Sequence, residues 1–282
     1  MKRQIFTLIG ILFTVTLFAQ DPTSKIVLSK GQKIQVSTTV TIESTAMGMD
    51  ATNNSTTENL LEVKDATDKN YTVSNTLTKV KISMNAPGNT TSFDSEKKED
   101  LESETGKSIA EKLTKPVDIL IDNTSGAALT SLKPKLKKDD APEANPMAGL
   151  FALLGENSSS DDIVVTGAFQ LIPKGKKPGD SWSDSNIEKE LKVRRTYTFK
   201  SNADTGAVVQ LKTMIESTGA LEMMGMSMEM NTNTETTSDI LLDIATGLVR
   251  KKSTEANVTG SMQLMGQAIP INAKATTVST YK

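Results

Sequence analysis

Apolar and polar residues alternate over long segments of this sequence, and this period of two constrains the fold more than any other feature. Between positions 33 and 45, Ile34, Val36, Val40 and Ile42 share one parity and mostly polar residues stand between them. Successive side chains of a β-strand point to opposite faces, so this segment is predicted to be a half-buried strand. The same alternation recurs at Tyr71/Val73/Leu77, Val80/Ile82/Met84, Tyr197/Phe199, Val209/Leu211/Ile215, Met226/Met228/Met230 and Ile269/Ile271/Ala273/Ala275.

Strands with one apolar and one polar face are typical of antiparallel sheets that are wetted on one side. The sequence therefore predicts a mainly β protein whose long antiparallel strands form a curved sheet or half-barrel. The parity of the apolar residues changes between Leu77 and Val80, which predicts a β-bulge near Lys79.

Helical periodicity is limited to short segments. Leu101, Thr105, Ile109 and Leu113 recur every fourth residue, which predicts a helix over residues 97–113 that packs on one face of the sheet. A second, short helix is predicted over residues 147–154, with Asn145 as its N-cap and Gly155 as its stop. Its apolar residues, which include Leu150, Phe151 and Leu154, occupy more than one face, so it is either a lid over an apolar cavity or an ordinary buried connector.

Two segments of the chain resemble each other. Residues 118–126 and 239–247 are identical at five of nine positions, including the two aspartates and the final glycine. Each reads as a strand, a turn and a return strand, which raises the possibility of an internal duplication, with chance similarity as the alternative. The predicted division is a β half over residues 20–135, a linker with the short helix over 136–162, and a second β half over 163–282.

The first nineteen residues have the features of a secretory signal peptide. Lys2 and Arg3 precede an apolar stretch over residues 5–18, and Ala19 offers a cleavage site. An N-terminal membrane anchor is the alternative, whereas a lipoprotein anchor is excluded because the chain has no cysteine. We therefore expect an exported protein, periplasmic or extracellular, with no transmembrane segment in the mature chain.

The mature chain would carry 30 basic and 34 acidic residues, a net charge of about −4, because Lys2 and Arg3 are lost from the 32 basic residues. Nucleic-acid binding needs a basic face, so no nucleic-acid partner is expected.

The absence of histidine and cysteine excludes imidazole and thiol catalysis and zinc sites built on those residues. We expect no metal site, no cofactor and no catalytic residues, while the frequent acidic residues keep a carboxylate hydrolase open as an alternative.

Methionines are the most distinctive local feature. Met224, Met226, Met228 and Met230 share one parity and would form a stripe along a strand. Thioethers can bind Cu(I), can line adaptable apolar sites, or can simply fill a core. Met-Gly pairs at residues 47–48, 224–225 and 265–266 each lie between strand-like segments, which predicts either hairpin connections or bulges. As hairpin connections they would cluster at one end of the sheet.

The segment Leu171-Ile-Pro-Lys-Gly-Lys-Lys-Pro-Gly-Asp-Ser-Trp182 contains a predicted turn at Pro178, Gly179 and Asp180, with Trp182 as its anchor. With the export signal and the Met-Gly pairs, it resembles a family of uncharacterised secreted β-rich proteins of Bacteroidota, a domain of unknown function. At the level of fold, the chain is also similar to the half-barrel lipoprotein carriers of the periplasm. The family resemblance implies no activity and no catalytic residues.

These observations favour a non-catalytic cell-envelope protein that binds an apolar ligand, such as a lipid, on a face lined by the methionine stripe and the residues Leu150, Phe151 and Leu154. The alternative is a structural or interaction module with an envelope protein as partner, in which the methionines are plain core.

Overall fold

The computed structural model describes residues 25–46, 48–131, 160–187, 191–203, 206–223, 226–264 and 267–282. Twelve strands form one antiparallel sheet. They are β1 (Lys33–Ala46), β2 (Met49–Ala66), β3 (Asn70–Ala86), β4 (Asn89–Asp94), β5 (Pro116–Asp122), β6 (Ala128–Ser131), β7 (Ser181–Ile187), β8 (Leu191–Ala203), β9 (Gly206–Met223), β10 (Met226–Leu242), β11 (Val249–Leu264) and β12 (Gln267–Tyr281). Three short helices are described: α1 (Lys98–Glu102), α2 (Glu104–Ala110) and α3 (Ser160–Thr166).

The sheet is curved and does not close into a barrel. Its strand order is β6-β5-β3-β2-β1-β12-β11-β10-β9-β8-β7, with β4 paired to β3 beside β5. The first half of the chain runs outward from the central β1 to one edge at β6. The second half begins at the other edge with β7 and runs inward to β12, which pairs with β1. The predicted curved antiparallel sheet is confirmed.

The two faces of the sheet follow the predicted alternation. In β1, Ile34, Val36, Val40 and Ile42 are all buried on the concave face. The intervening residues are more exposed and lie on the convex face, where hydroxyl, amide and charged side chains pair across strands, as Thr41 does with Asn54. Branched Cβ atoms suit this pleated surface, which explains the abundance of threonine and valine.

The predicted bulge in β3 is confirmed. Glu58 of β2 pairs with Lys79, but the next residue, Asn59, pairs with Leu77. Thr78 is therefore the extra residue, and its Oγ1 donates a hydrogen bond of 2.9 Å to the carbonyl oxygen of Glu58. The bulge keeps both Leu77 and Val80 on the concave side of the sheet.

The prediction of one helix over residues 97–113 is wrong in length. The segment forms α1 and α2, which are separated at Ser103, whose backbone is extended. The Oγ of Ser103 accepts a hydrogen bond of 3.0 Å from the amide of Gly106, so Ser103 begins the second helix instead of continuing the first. Helix α1 contacts β4 and buries no residue.

Helix α3 lies partly in a segment that the sequence suggested was a polar linker. It begins at Ser160, and Asp161 and Asp162 occupy its first turn, where carboxylates are favoured by the helix dipole. Val165 is fully buried against the concave face. The predicted helix over residues 147–154 lies outside the described residues. In the described part of the chain, no helix is long and apolar enough to cross a membrane.

Candidate binding face

The concave face has two ends, which we call the hairpin end and the core end. At the hairpin end, the connections β1–β2, β3–β4, β9–β10 and β11–β12 join neighbouring strands. The three Met-Gly pairs stand at three of these connections, so the prediction that they are hairpins at one end of the sheet is confirmed by the strand bounds. The opposite end, which holds the start of β1 and the end of β12, is the core end.

The core end is filled by the chain itself. Helix α3, the segment that follows it and the N-terminal residues 26–28 pack against the concave face. Ile26 is 1% exposed and Val165 is fully buried. Asn75 of β3 donates a hydrogen bond of 2.7 Å to the carboxylate of Asp161, which ties the helix to the sheet. The chain's own residues thus fill the concave face at the core end.

Two equivalent turns border the core end, in the two segments that resemble each other in sequence. In the β5–β6 turn, the amide of Gly126 donates to the carbonyl oxygen of Asp122 at 2.9 Å. In the β10–β11 turn, the amide of Gly247 donates to the carbonyl oxygen of Asp243 at 2.8 Å. Both glycines have φ of +74°, a left-handed conformation that favours glycine, so the sequence similarity extends to the backbone.

The aspartate of each turn caps its own loop. The Oδ1 atom of Asp122 accepts from the amides of Thr124 and Ser125, and the Oδ1 atom of Asp243 accepts from the amides of the two corresponding residues. Hydrogen bonds from Thr124 and Ser125 hold the pKa of Asp122 below its ordinary value. Both aspartates thus serve turn geometry, and neither is arranged as a catalytic acid.

The N-terminal segment bridges these two turns. The amide of Ile26 donates to the carbonyl oxygen of Asn123 at 2.7 Å, and the amide of Val27 donates to that of Thr246 at 3.0 Å. The hydroxyl of Tyr71 donates to the carbonyl oxygen of Ile26 at 3.0 Å. This segment therefore connects the two halves of the sheet across its concave side and closes the core end.

A polar belt crosses the middle of the concave face. Thr38 and Ser279 are hydrogen-bonded at 3.0 Å through their hydroxyls, as are Ser238 and Thr254 at 2.7 Å. A small apolar cluster interrupts the belt. The buried polar residues of β2, β9, β10 and β12 are Asn53, Ser55, Asn59, Thr213, Thr234, Ser238 and Ser279.

Beyond the belt, the hairpin end of the concave face carries apolar residues in register. Met230 of β10 pairs with Met262 of β11, which pairs with Ile269 of β12. All three side chains are only partly buried, whereas the next concave residue of β12, Ile271, is 8% exposed. We name Met230, Met262 and Ile269 the apolar row. The described residues that fill the core end form a cluster that does not include it.

The structure places one predicted site residue, Met230, in this row. Met226 and Met228 lie in β10 with the same parity, and only their backbone is described. The predicted site residues Met224, Leu150, Phe151 and Leu154 lie outside the described residues. Sequence reasoning missed Met262, although its position three residues before the Met265-Gly266 pair was a usable signal.

The segment around Trp182 forms an anchored turn. Pro178 and Gly179 form the turn, and Asp180 accepts a hydrogen bond of 2.9 Å from the amide of Lys177 through its Oδ2 atom. The backbone of Gly179 and Asp180 pairs with Phe199 of β8. Trp182 stacks on Tyr197 with ring centroids 5.3 Å apart and an angle of 3° between the rings.

The charged groups of the described residues are arranged for structure. Burial and the neighbouring Asp184 raise the pKa of Tyr197 to about 12, so this phenol stays protonated at neutral pH. The carboxylates with a resolved shift have lowered pKa values, the opposite of what a general acid needs. These are Glu62, Asp94, Glu96, Asp122, Glu216 and Asp243.

One further candidate site lies on the opposite face of the sheet. A cleft of about 510 Å³ lies on the polar side of β2, β1, β12 and β11, where Glu43, Asp50 and Lys274 are exposed. Within the described ranges, no three acidic side chains come together as a metal site. The apolar row is therefore the feature of the structure that best fits a binding surface.

The solved structures that match the chain are distant from it in sequence and in structure. A structure of lipovitellin that concerns lipid–protein interactions matches 91% of this chain, with 10% identity and a TM-score of 0.48, and the chain spans 26% of its length. OccK5 of Pseudomonas aeruginosa matches 90% of this chain, with 8% identity, a TM-score of 0.31 and 98% of its own length covered. An outer membrane channel of Pseudomonas putida F1 matches 93% of this chain, with 9% identity, a TM-score of 0.30 and 100% of its own length covered.

No curated protein matches the chain in sequence. The family of unknown function DUF6263 matches residues 68–249, from the end of the β2–β3 connection to the start of β11. The match covers 182 of the 282 residues, and the chain belongs to this family.

Proposed function

We propose that this protein is a non-catalytic binding protein of the cell envelope that holds an apolar ligand, such as a lipid acyl chain, at the hairpin end of its concave face. The observation that carries this proposal is the apolar row of Met230, Met262 and Ile269, which is in register across three strands and only partly buried. Export through the signal peptide at residues 1–19 would deliver the protein to the periplasm or the extracellular space.

The side chains of the row suit a ligand without a fixed shape. Methionine has three rotatable bonds and a polarisable sulfur, so it adapts to chains of different length and curvature. Each methylene removed from water contributes about 0.8 kcal/mol, so an acyl chain with several buried methylenes gains a useful affinity from such a row. Thr234, the nearest residue of the polar belt, lies four residues from Met230 along β10, so a ligand with a long apolar chain and a polar head can meet both.

The chemistry available to the chain supports binding in preference to catalysis. The sequence has no histidine or cysteine, so acid–base or nucleophilic chemistry would have to use carboxylates, hydroxyls or amines. The resolved carboxylate pKa values are lowered by hydrogen bonds and ion pairs, as for Glu216, which pairs with Lys192 and Arg194. Such groups are stable as anions and donate protons poorly at neutral pH.

The test is a titration of the purified full chain with a fluorescent fatty acid, with native mass spectrometry of the protein from its host as a second readout. We expect saturable binding and a co-purifying apolar molecule. Met262→Glu places a charge in the row and should weaken binding about tenfold or more, because loss of one methionine contact and introduction of a carboxylate each oppose an apolar ligand.

Met214→Glu is the matched control. Met214 is 43% exposed and lies on the convex face of β9, so the same substitution there should leave binding unchanged. Absence of any binding, or equal loss in both variants, would contradict the proposal. Fractionation of cells that express the full chain tests export, and protein retained in the cytoplasm would contradict the envelope location.

A structural or interaction module is the second candidate, and the open edges of the sheet favour it. Among the described residues, strands β6 and β7 are the ends of the strand order, and Ile187 of β7 is 64% exposed. An unpaired edge is a ready surface for another chain. Pulldown from envelope extracts with the parent and Ile187→Lys decides this point: a reproducible partner that Ile187→Lys loses, together with no fatty-acid binding, would replace the first proposal.

A further inference from the structure

Methionine is concentrated at the hairpin end of the sheet. Of the 13 methionines in the chain, all but Met1, Met147 and Met214 lie within five residues of a hairpin connection at that end, which leaves ten. These ten are Met47, Met49, Met84, Met223, Met224, Met226, Met228, Met230, Met262 and Met265. Met49, whose side chain is described, is 54% exposed. At this exposure Met49 contributes little to a core, so its place beside a hairpin calls for another explanation.

Charge is nearly missing from the four connections that define the hairpin end. The four eight-residue stretches around the connections are residues 44–51, 84–91, 221–228 and 262–269. Among these 32 positions only two are charged, Asp50 and Glu222, whereas 23% of the whole chain is charged. Neither charge is basic, so these four connections offer no attraction to an anionic partner.

The four connections stand next to each other. In the sheet, β4 and β3 are followed by β2 and β1, then β12 and β11, then β10 and β9, so the hairpins form an uninterrupted series. With neighbouring strands about 4.8 Å apart, seven spacings give an edge of roughly 34 Å. A broad edge of uncharged hairpins that carry flexible apolar side chains can bury several of them at once in a single extended surface.

We propose that the hairpin end docks on a lipid bilayer surface through its apolar hairpins. The bilayer is the occupant that fits best, since an edge of this width with only two charges among 32 positions matches an extended apolar medium under a neutral headgroup layer. The edge is also continuous with the apolar row, so docking would place the ligand-binding face next to the lipids. The proposal rests on the proposed function for this last point alone, because docking itself needs no bound ligand.

The test is co-flotation of the purified full chain with phosphatidylcholine vesicles, without added fatty acid. We expect the protein to float with the vesicles, equally at low and high salt, because an apolar contact is not screened. Met49→Glu should lower the partition about tenfold, which corresponds to one methionine no longer buried. Met214→Glu, an exposed methionine on the convex face, should float like the parent.

Three results would overturn docking: no flotation, flotation that requires anionic lipid and disappears at high salt, or equal flotation of Met49→Glu and the parent. A dimer in solution that Met49→Glu dissociates, without flotation, would assign the edge to a second copy of the chain instead. Since fatty-acid binding is measured separately in solution, its failure with intact flotation would overturn the proposed ligand and leave the docking surface in place.

Discussion

The core end and the hairpin end of the sheet are built from the same strands, yet they differ in what meets their concave face. At the core end, residues 26–28 and α3 pack on Val36, Val73 and Val209, and the cluster is closed to solvent. At the hairpin end, the corresponding positions are Met230, Met262 and Ile269, which stay partly exposed. Stability should therefore reside mostly at the core end, and contact with apolar molecules at the hairpin end.

The two ends differ in exposure because different residue types occupy the concave positions of the same strands. Pairing of β10 with β11 continues without a break from Met230 to Leu241 and shifts only before Leu242, so backbone pairing alone does not explain the exposure of the hairpin end. The buried residues at the core end are mainly branched aliphatic and aromatic side chains, which pack in few rotamers, whereas the hairpin end uses methionine, which adapts. Substitutions at the two ends should then have separable effects, and the following predictions are ordered from the largest effect to the smallest.

Ile26→Ala should destabilise the protein most. Ile26 is 1% exposed and lies between Gly126 and Gly247, so its truncation leaves a cavity where the two halves meet. Loss of such a side chain costs about 2–5 kcal/mol in the free energy of unfolding, measured by denaturant titration. Val27→Ala is the control, because Val27 is 50% exposed, and it should change the free energy by less than about 0.5 kcal/mol. Equal effects would show that the segment does not close the core.

The next prediction compares the loss of stability when alanine replaces one glycine at each end, Gly247 or Gly48. Both glycines have a φ of +74°. A Cβ in this conformation costs about 1–2 kcal/mol at either position. At Gly247 the new atom would also lie 2.9 Å from Cδ2 of Leu171, whereas nothing lies within 4 Å at Gly48. The free energy of unfolding should fall by about 2–4 kcal/mol for Gly247→Ala and by about 1–2 kcal/mol for Gly48→Ala. A larger loss for Gly48→Ala would contradict the contrast between the ends.

Acid should weaken the core end through Asp243. Partial burial alone would raise the pKa of this carboxyl, but hydrogen bonds from Arg250 and from the amides of Ala245 and Thr246 outweigh it and lower the pKa. The stabilisation is therefore present above the ordinary aspartate value of about 3.9 and is lost as the pH falls below it. Asp243→Asn should make the fall in unfolding free energy below pH 4 less steep than in the parent; an unchanged slope would contradict the assignment.

The sequence predicted those parts of the fold that depend on local patterns. Alternation around Ile34 and Val36 identified strands because a period of two is a property of each strand alone, and the parity change before Val80 identified the bulge. The Asp-to-Gly turns were also readable, because their hydrogen bonds join residues at most five apart. Whether they reflect a duplication of the whole halves remains a prediction.

What the sequence did not reveal depends on contacts between distant residues. Helix α3 was missed because its short apolar stretch, Ile163 to Val165, gains stability only against β3, β5 and β6. The periodicity of residues 97–113 suggested one helix because it reports only where the apolar residues recur. It does not show that the side chain of Ser103 caps a new helix. Met262 belongs to the candidate site through pairing with Met230, which is 32 positions away, and the stripe along β10 alone could not indicate that register.

The most direct test of the account is photo-crosslinking of the purified protein with a fatty acid that carries a diazirine in its tail, followed by mapping of the labelled peptides. The account predicts labels at the hairpin end, at or near Met230, Met262 and Ile269, and their loss when unlabelled fatty acid competes. Labels that fall on the convex face around Met214, on residues 26–28, or nowhere would contradict it.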